Sequence, residues 1–183
     1  MSDSMKPKLF ITIILSIIYL ASTLHYIPLP TGEGPGVGLL FHANIFHLLG
    51  NLFVLWLLRL DRNHTPHEET KRIIEGCIIA VLSPFLPSFH IDIPNFQLST
   101  IHSQLTLGFS GAIFAIVGAM WGEAFRKRPT KKTTRLFVTR CLPWAIIGIF
   151  IPHVDGMLHT YCLFAGLLYK LLPDYFPRLS RKS

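Results

Sequence analysis

The charges of this chain are segregated. Its 17 Lys and Arg residues fall between, or at the ends of, six long apolar runs at residues 9–27, 39–58, 74–89, 104–125, 136–152 and 155–172. A bilayer core of about 30 Å takes about 20 helical residues. Runs one, two and four meet that length. Run three is short and carries Pro84 and Pro87, which kink a helix or end it at the interface. Run five carries Arg140 near one end, where a long side chain can snorkel to the headgroups. Only 15% of the chain is charged and the mean hydropathy is +0.45, whereas soluble domains carry about a quarter charged residues. The expected fold class is an all-α membrane protein with six transmembrane helices, forming a single domain over residues 1–183.

The net charge of +7 invites a nucleic-acid reading, but the distribution opposes it. With Lys6 and Lys8 placed in the cytoplasm and six spans threaded, every Lys and Arg lands on the same side. The opposite loops, 28–38 and 90–103 and the turn near His153, contain none. This is the positive-inside pattern, and it puts both termini in the cytoplasm. The first apolar run is longer than a signal-peptide core and lacks a small-x-small cleavage site, so a retained span is expected. Cys77, Cys141 and Cys162 all lie inside spans, as small packing residues rather than a disulfide framework. The segment 59–72, with His64 and His67, reads as a solvated charged loop, and 126–135 as a topology anchor against anionic lipid.

Polar residues inside spans are functional candidates by default. Glu75 and Glu123 sit at cytoplasmic span ends beside basic residues and are set aside. His42, His47 and Asn51 remain in span two, Ser110 in span four and His159 in span six. Ser110 lies about six residues into its run, or ~9 Å, and His159 about four residues in, or ~6 Å. Three helices thus bring polar groups to similar depths beneath one membrane face. His47 and Asn51, four apart, share a helical face; His42, five from His47, falls off it and has another task.

Ser110 lies in Gly108-Phe109-Ser110-Gly111, and Gly111, Ala115, Gly118 and Gly122 continue as a stripe of small residues. Gly166, seven residues after His159, offers span six a matching position. Such stripes let two helices approach closely. A serine hydroxyl becomes a nucleophile beside a neutral imidazole. The oxyanion formed in acyl transfer needs preorganised donors, for which the side chains of His47 and Asn51 and the Ser110 amide are available.

These motifs resemble the rhomboid family of intramembrane serine proteases. The family's second span carries H-x-x-x-x-H-x-x-x-N, here His42 to Asn51; its fourth carries G-x-S-G, here Gly108 to Gly111. Its last span carries a His followed by small residues at three and seven, here His159, Cys162 and Gly166. The resemblance covers about residues 40 to 172. It implies a rhomboid-like bundle and a Ser110/His159 dyad without a third carboxylate, His47 and Asn51 forming the side-chain part of the oxyanion hole. His42, Gly108, Gly111 and Gly166 support the motif. Asp155, at a helix start four residues before His159, reads as an N-cap rather than a third member.

Two departures stand out. The Trp-Arg pair common in the family's first outer loop is missing from 28–38. The last-span Ala-His-x-Gly-Gly is replaced by Leu158-His159-Thr160-Tyr161-Cys162, where the bulkier Cys162 is expected to loosen or shift the approach of span six to span four. The implied function is endopeptidase cleavage of single-span or polytopic membrane proteins near the outer membrane face, with the bilayer as the other partner and no nucleic acid. The compact core points to a bacterial plasma membrane. The alternative within the same fold is a catalytically inactive relative that binds membrane-protein clients. The nine His residues also raise a haem or metal carrier. Neither a metal nor a cofactor is expected for the protease, and the absence of H-E-x-x-H disfavours a zinc enzyme.

Overall fold

The computed structural model describes residues 6–27, 37–42, 44–58, 66–82, 108–150 and 156–172. Among them the structure is helical, with no strand. The elements are α1 (Lys6–Thr23), a short 3-10 turn (Val37–Leu40), α2 (Ile45–Leu57), α3 (Pro66–Leu82) and α4 (Ser110–Lys127). Then come α5 (Lys131–Leu136), a π turn (Phe137–Cys141), α6 (Leu142–Phe150) and α7 (Gly156–Leu171). The stretch from α5 through α6 is one continuous helical rod.

Among these helices α1 alone is long and apolar enough by itself to cross a membrane, and α2 is a shorter apolar helix of 13 residues. α1 leaves Phe10, Ile13, Ile17 and Leu20 exposed along one side, and α2 does the same with Phe46, Leu49 and Phe53. In water such stripes would be unfavourable; against hydrocarbon they are the ordinary outer surface.

The centre of the bundle is the contact between α4 and α7, the most extensive among the described elements. The small-residue stripe produces it. Gly118 faces the backbone of Leu163 and Leu167, Gly122 the backbone of Leu167, and Gly166 the backbone of Ala115 and Ala119. A side chain at any of these three would run into main-chain atoms that cannot turn aside. Cys162 is fully buried, its Sγ 3.4 Å from where a Cβ on Gly111 would stand. The sulfur packs beside Gly111, while further along the same pair of helices Gly118, Gly122 and Gly166 bring the backbones into contact.

At the other end of α4, ion pairs tie the helices together through α3. Glu69 pairs with Lys8 of α1 at 3.3 Å, Arg72 with Glu123 of α4 at 2.7 Å, and Glu75 with Lys170 of α7 at 2.9 Å. Lys8 also donates to the Leu58 carbonyl at the end of α2. Glu69, Arg72 and Glu75 recur every third residue, which carries them around the buried side of one helix. This corrects the reading of 59–72 as a solvated loop: α3 begins at Pro66, and Glu69 and Arg72 are buried. His67 is exposed on the first turn, while His64 lies outside the described residues.

Two further boundaries differ from the expected spans. The run 39–58 is not one helix. Val37–Leu40 is a 3-10 turn, and Asn44, extended at φ −158°, caps α2 by accepting the His47 amide at 2.9 Å. In the run 104–125, residues 104–107 lie outside the described residues, and the helix begins only at Ser110. Gly108 and Phe109 form a turn before it, and Gly108 has φ +118°. Hydropathy marks where a chain is apolar but not where its backbone changes course, and in both cases a capping or glycine residue decides. Of the outer loop expected to differ from the family, 28–38, residues 28–36 lie outside the described residues, as does Asp155.

Candidate active site

Ser110 is the first residue of α4, and Phe109 before it provides no side-chain cap. The first helical bond runs from the Ile113 amide to the Phe109 carbonyl. The opening amides of a helix have no partner within it and carry its partial positive charge. The hydroxyl therefore projects where negative charge is favoured. His159, in the first turn of α7, meets it: His159 Nε2 lies 2.7 Å from Ser110 Oγ, and both residues are 8% exposed. With the hydroxyl donating, Nε2 is the unprotonated ring nitrogen.

The imidazole is held from below by Phe114, whose ring stacks on it with centroids 4.4 Å apart and planes 11° from parallel. Phe114 is four residues after Ser110, so both stand on one face of α4. The sequence reading missed this residue. The spacing from Ser110 could have found it, since an aromatic one turn below a nucleophile necessarily borders whatever approaches that nucleophile.

α2 supplies the other side of the site. Asn51 is buried and His47, one turn earlier, is half-buried. Both surround Gly108: a Cβ there would sit 2.6 Å from His47 Cε1 and 3.2 Å from Asn51 Nδ2. Gly108 is thus required twice, by its left-handed φ of +118° and by the side chains against its α-carbon. Its amide donates to the Gly38 carbonyl at 2.9 Å, which pins the 3-10 turn to the start of α4.

His42 does not stand apart as the helical-wheel argument had it. It precedes α2, so the 100° rule does not apply, and its ring lies within the site. It is only 2% exposed; its Nε2 lies 3.0 Å from Asn51 Nδ2 and 3.4 Å from the Phe109 amide nitrogen. Its ring meets that of His47 edge-on at 5.3 Å. Gly111 and Gly166 lie in the α4–α7 contact, not at the polar cluster.

Ser110, His159, His47, Asn51 and His42 are therefore one cluster, drawn from α4, α7, α2 and the segment before α2. Chemically it offers a hydroxyl beside a neutral base, with an amide nitrogen and an imidazole across a glycine turn. The Rhomboid domain family model matches residues 37–173, which includes every one of these residues. Neither the curated proteins nor the solved structures gave a match to the chain. With three quarters of its length matched, and the matched part holding the whole polar cluster, the chain belongs to the rhomboid family and is an integral membrane protein.

Proposed function

We propose that this rhomboid-family protein is an intramembrane serine endopeptidase working by a Ser110/His159 dyad. The observation that carries the reading is the 2.7 Å approach of His159 Nε2 to Ser110 Oγ in a buried setting. Ser110 Oγ attacks the scissile carbonyl as His159 takes its proton. The tetrahedral oxyanion is met by Asn51 Nδ2, the His47 ring and the first amides of α4. His159 then returns the proton to the leaving amine, and a water activated by the same imidazole hydrolyses the acyl-enzyme.

In this reading six spans cross the membrane with both termini in the cytoplasm, as the one-sided placement of Lys and Arg supports. The ion-paired end of the bundle is cytoplasmic and the dyad lies near the outer face. The substrates are single-span or polytopic membrane proteins whose helices enter from the bilayer. Helical amides are protected by their own hydrogen bonds, so cleavage falls near helix-breaking residues of the substrate. The single domain and a bacterial plasma-membrane location belong to the same reading.

Covalent labelling of purified protein by a fluorophosphonate serine probe tests it. Wild type labels, and Ser110→Ala and His159→Ala do not. A folded wild type that fails to label would instead support the catalytically inactive, client-binding relative.

A further inference from the structure

The cluster contains a histidine that the proposed mechanism does not use. His42 is almost fully buried, and its Nε2 faces two nitrogens, the Asn51 side-chain amide and the Phe109 backbone amide. A backbone N–H can only donate, so the Nε2 facing it presents a lone pair and the ring proton resides on Nδ1. Nε2 being an acceptor, the Asn51 group turned toward it is Nδ2 and not Oδ1. One side-chain contact thus decides which way the Asn51 amide is flipped.

The consequence reaches the reaction. An Asn amide nitrogen has two protons. With one directed to His42, the second is left for the side of Gly108, where a Cβ would stand 3.2 Å from Asn51 Nδ2. The reversed amide would present an oxygen there, which would repel a developing oxyanion. The same lone pair faces the Phe109 amide, next to Ser110, and so ties the turn before α4 to α2.

We propose that His42 is a positioning residue: its Nε2 lone pair holds the Asn51 amide with nitrogen toward the reacting carbonyl and fixes the Phe109–Ser110 turn against α2. This rests on the protease reading above for its catalytic consequence, though the orientation itself does not.

The test uses the full-length protein in proteoliposomes with a cleavable transmembrane substrate, comparing His42→Leu, His42→Gln, Asn51→Ala and the double variant His42→Leu/Asn51→Ala. Gln can place its side-chain oxygen near the position of Nε2 and so restores an acceptor; Leu cannot. His42→Leu lowers kcat about 10- to 100-fold with KM within about twofold, less than the ~10²–10³-fold of losing an oxyanion donor outright. His42→Gln recovers most of that loss, and the double variant falls short of the combined losses of the two single variants, since the effect of His42 passes in part through the Asn51 amide. An unchanged kcat in His42→Leu, no rescue by Gln, or additive losses in the double variant would each overturn the proposal.

Nitrogen NMR of the labelled ring supplies a readout independent of turnover. Nε2 resonates as an unprotonated nitrogen and Nδ1 as a protonated one; the reverse would overturn the assigned orientation. A wild type that does not cleave, yet shows this tautomer, would sink the protease reading and leave the orientation standing.

Discussion

Gly166→Ala asks whether the dyad depends on backbone contact between α4 and α7. A methyl at Gly166 would lie 2.9 Å from the Ala115 carbonyl carbon and 3.0 Å from the Ala119 nitrogen, with the Ala115 oxygen closer still. Carbon atoms rest at about 3.5–4.0 Å, and main-chain atoms inside a helix cannot rotate away. The oxygen contact is the tightest, so the helices must part by about 1 Å. If α7 moves as a unit, the Ser110–His159 contact stretches from 2.7 Å to about 3.7 Å, past the limit of a useful hydrogen bond. An error of about 1 Å at a reacting pair can lower the rate about 100-fold, and overpacking destabilises by about 1–3 kcal/mol.

Gly50→Ala is the control, because a methyl there has nothing within 4 Å while the intrinsic helix preference changes equally. Fluorophosphonate labelling rates and thermal unfolding in detergent are compared for the two variants. We expect Gly50→Ala to match wild type in labelling and Gly166→Ala to label about 100-fold more slowly. Equal labelling and equal unfolding temperatures for both variants would refute the idea that glycine contact sets the dyad distance.

Phe114→Ala removes the ring beneath His159 and should lower kcat by about tenfold, in line with the ~0.5–1.5 kcal/mol of an aromatic pair; Phe114→Tyr should keep most activity in the same cleavage assay. Gly108→Ala forces a side chain into a left-handed turn and against His47, and should abolish probe labelling while leaving a folded protein by circular dichroism. Arg72→Met strands Glu123 in the bundle and should destabilise by about 3 kcal/mol in thermal unfolding. The double variant Arg72→Met/Glu123→Leu should recover much of that, and labelling per folded molecule should hold in both.

What the sequence revealed and what it hid follow from the physics of each signal. Ser110, His159, His47 and Asn51 were legible because a polar group inside an apolar run is unfavourable without a use, and the runs themselves were obvious. The glycines at 118, 122 and 166 were legible because helical spacing turns small residues into one face. His42 was misjudged because its relation to Asn51 is not helical: a capped break at Asn44 intervenes, and periodicity cannot see past it. Phe114 was overlooked because an aromatic in a hydrophobic span carries no compositional signal. Arg72 and Glu69 were read as solvated because pairing between α3 and its neighbours depends on helices far apart in the chain.

The two halves of the cluster are held by different kinds of force. Ser110 and His159 belong to helices whose backbones touch through glycine, and close-packed main chains have few alternative arrangements. Asn51 and His47 arrive on α2, whose outer surface is exposed and which packs into the core through Leu48 and Leu55, with single polar contacts tying it to the site. His42 joins it to the turn before α4, and the Gly38–Gly108 bond ties the segment ahead of it to that turn. Under the proposed mechanism, Ser110 and His159 are held together by main-chain packing, whereas the residues proposed to meet the oxyanion are tied to the turn before α4 by polar contacts of about 1 kcal/mol each.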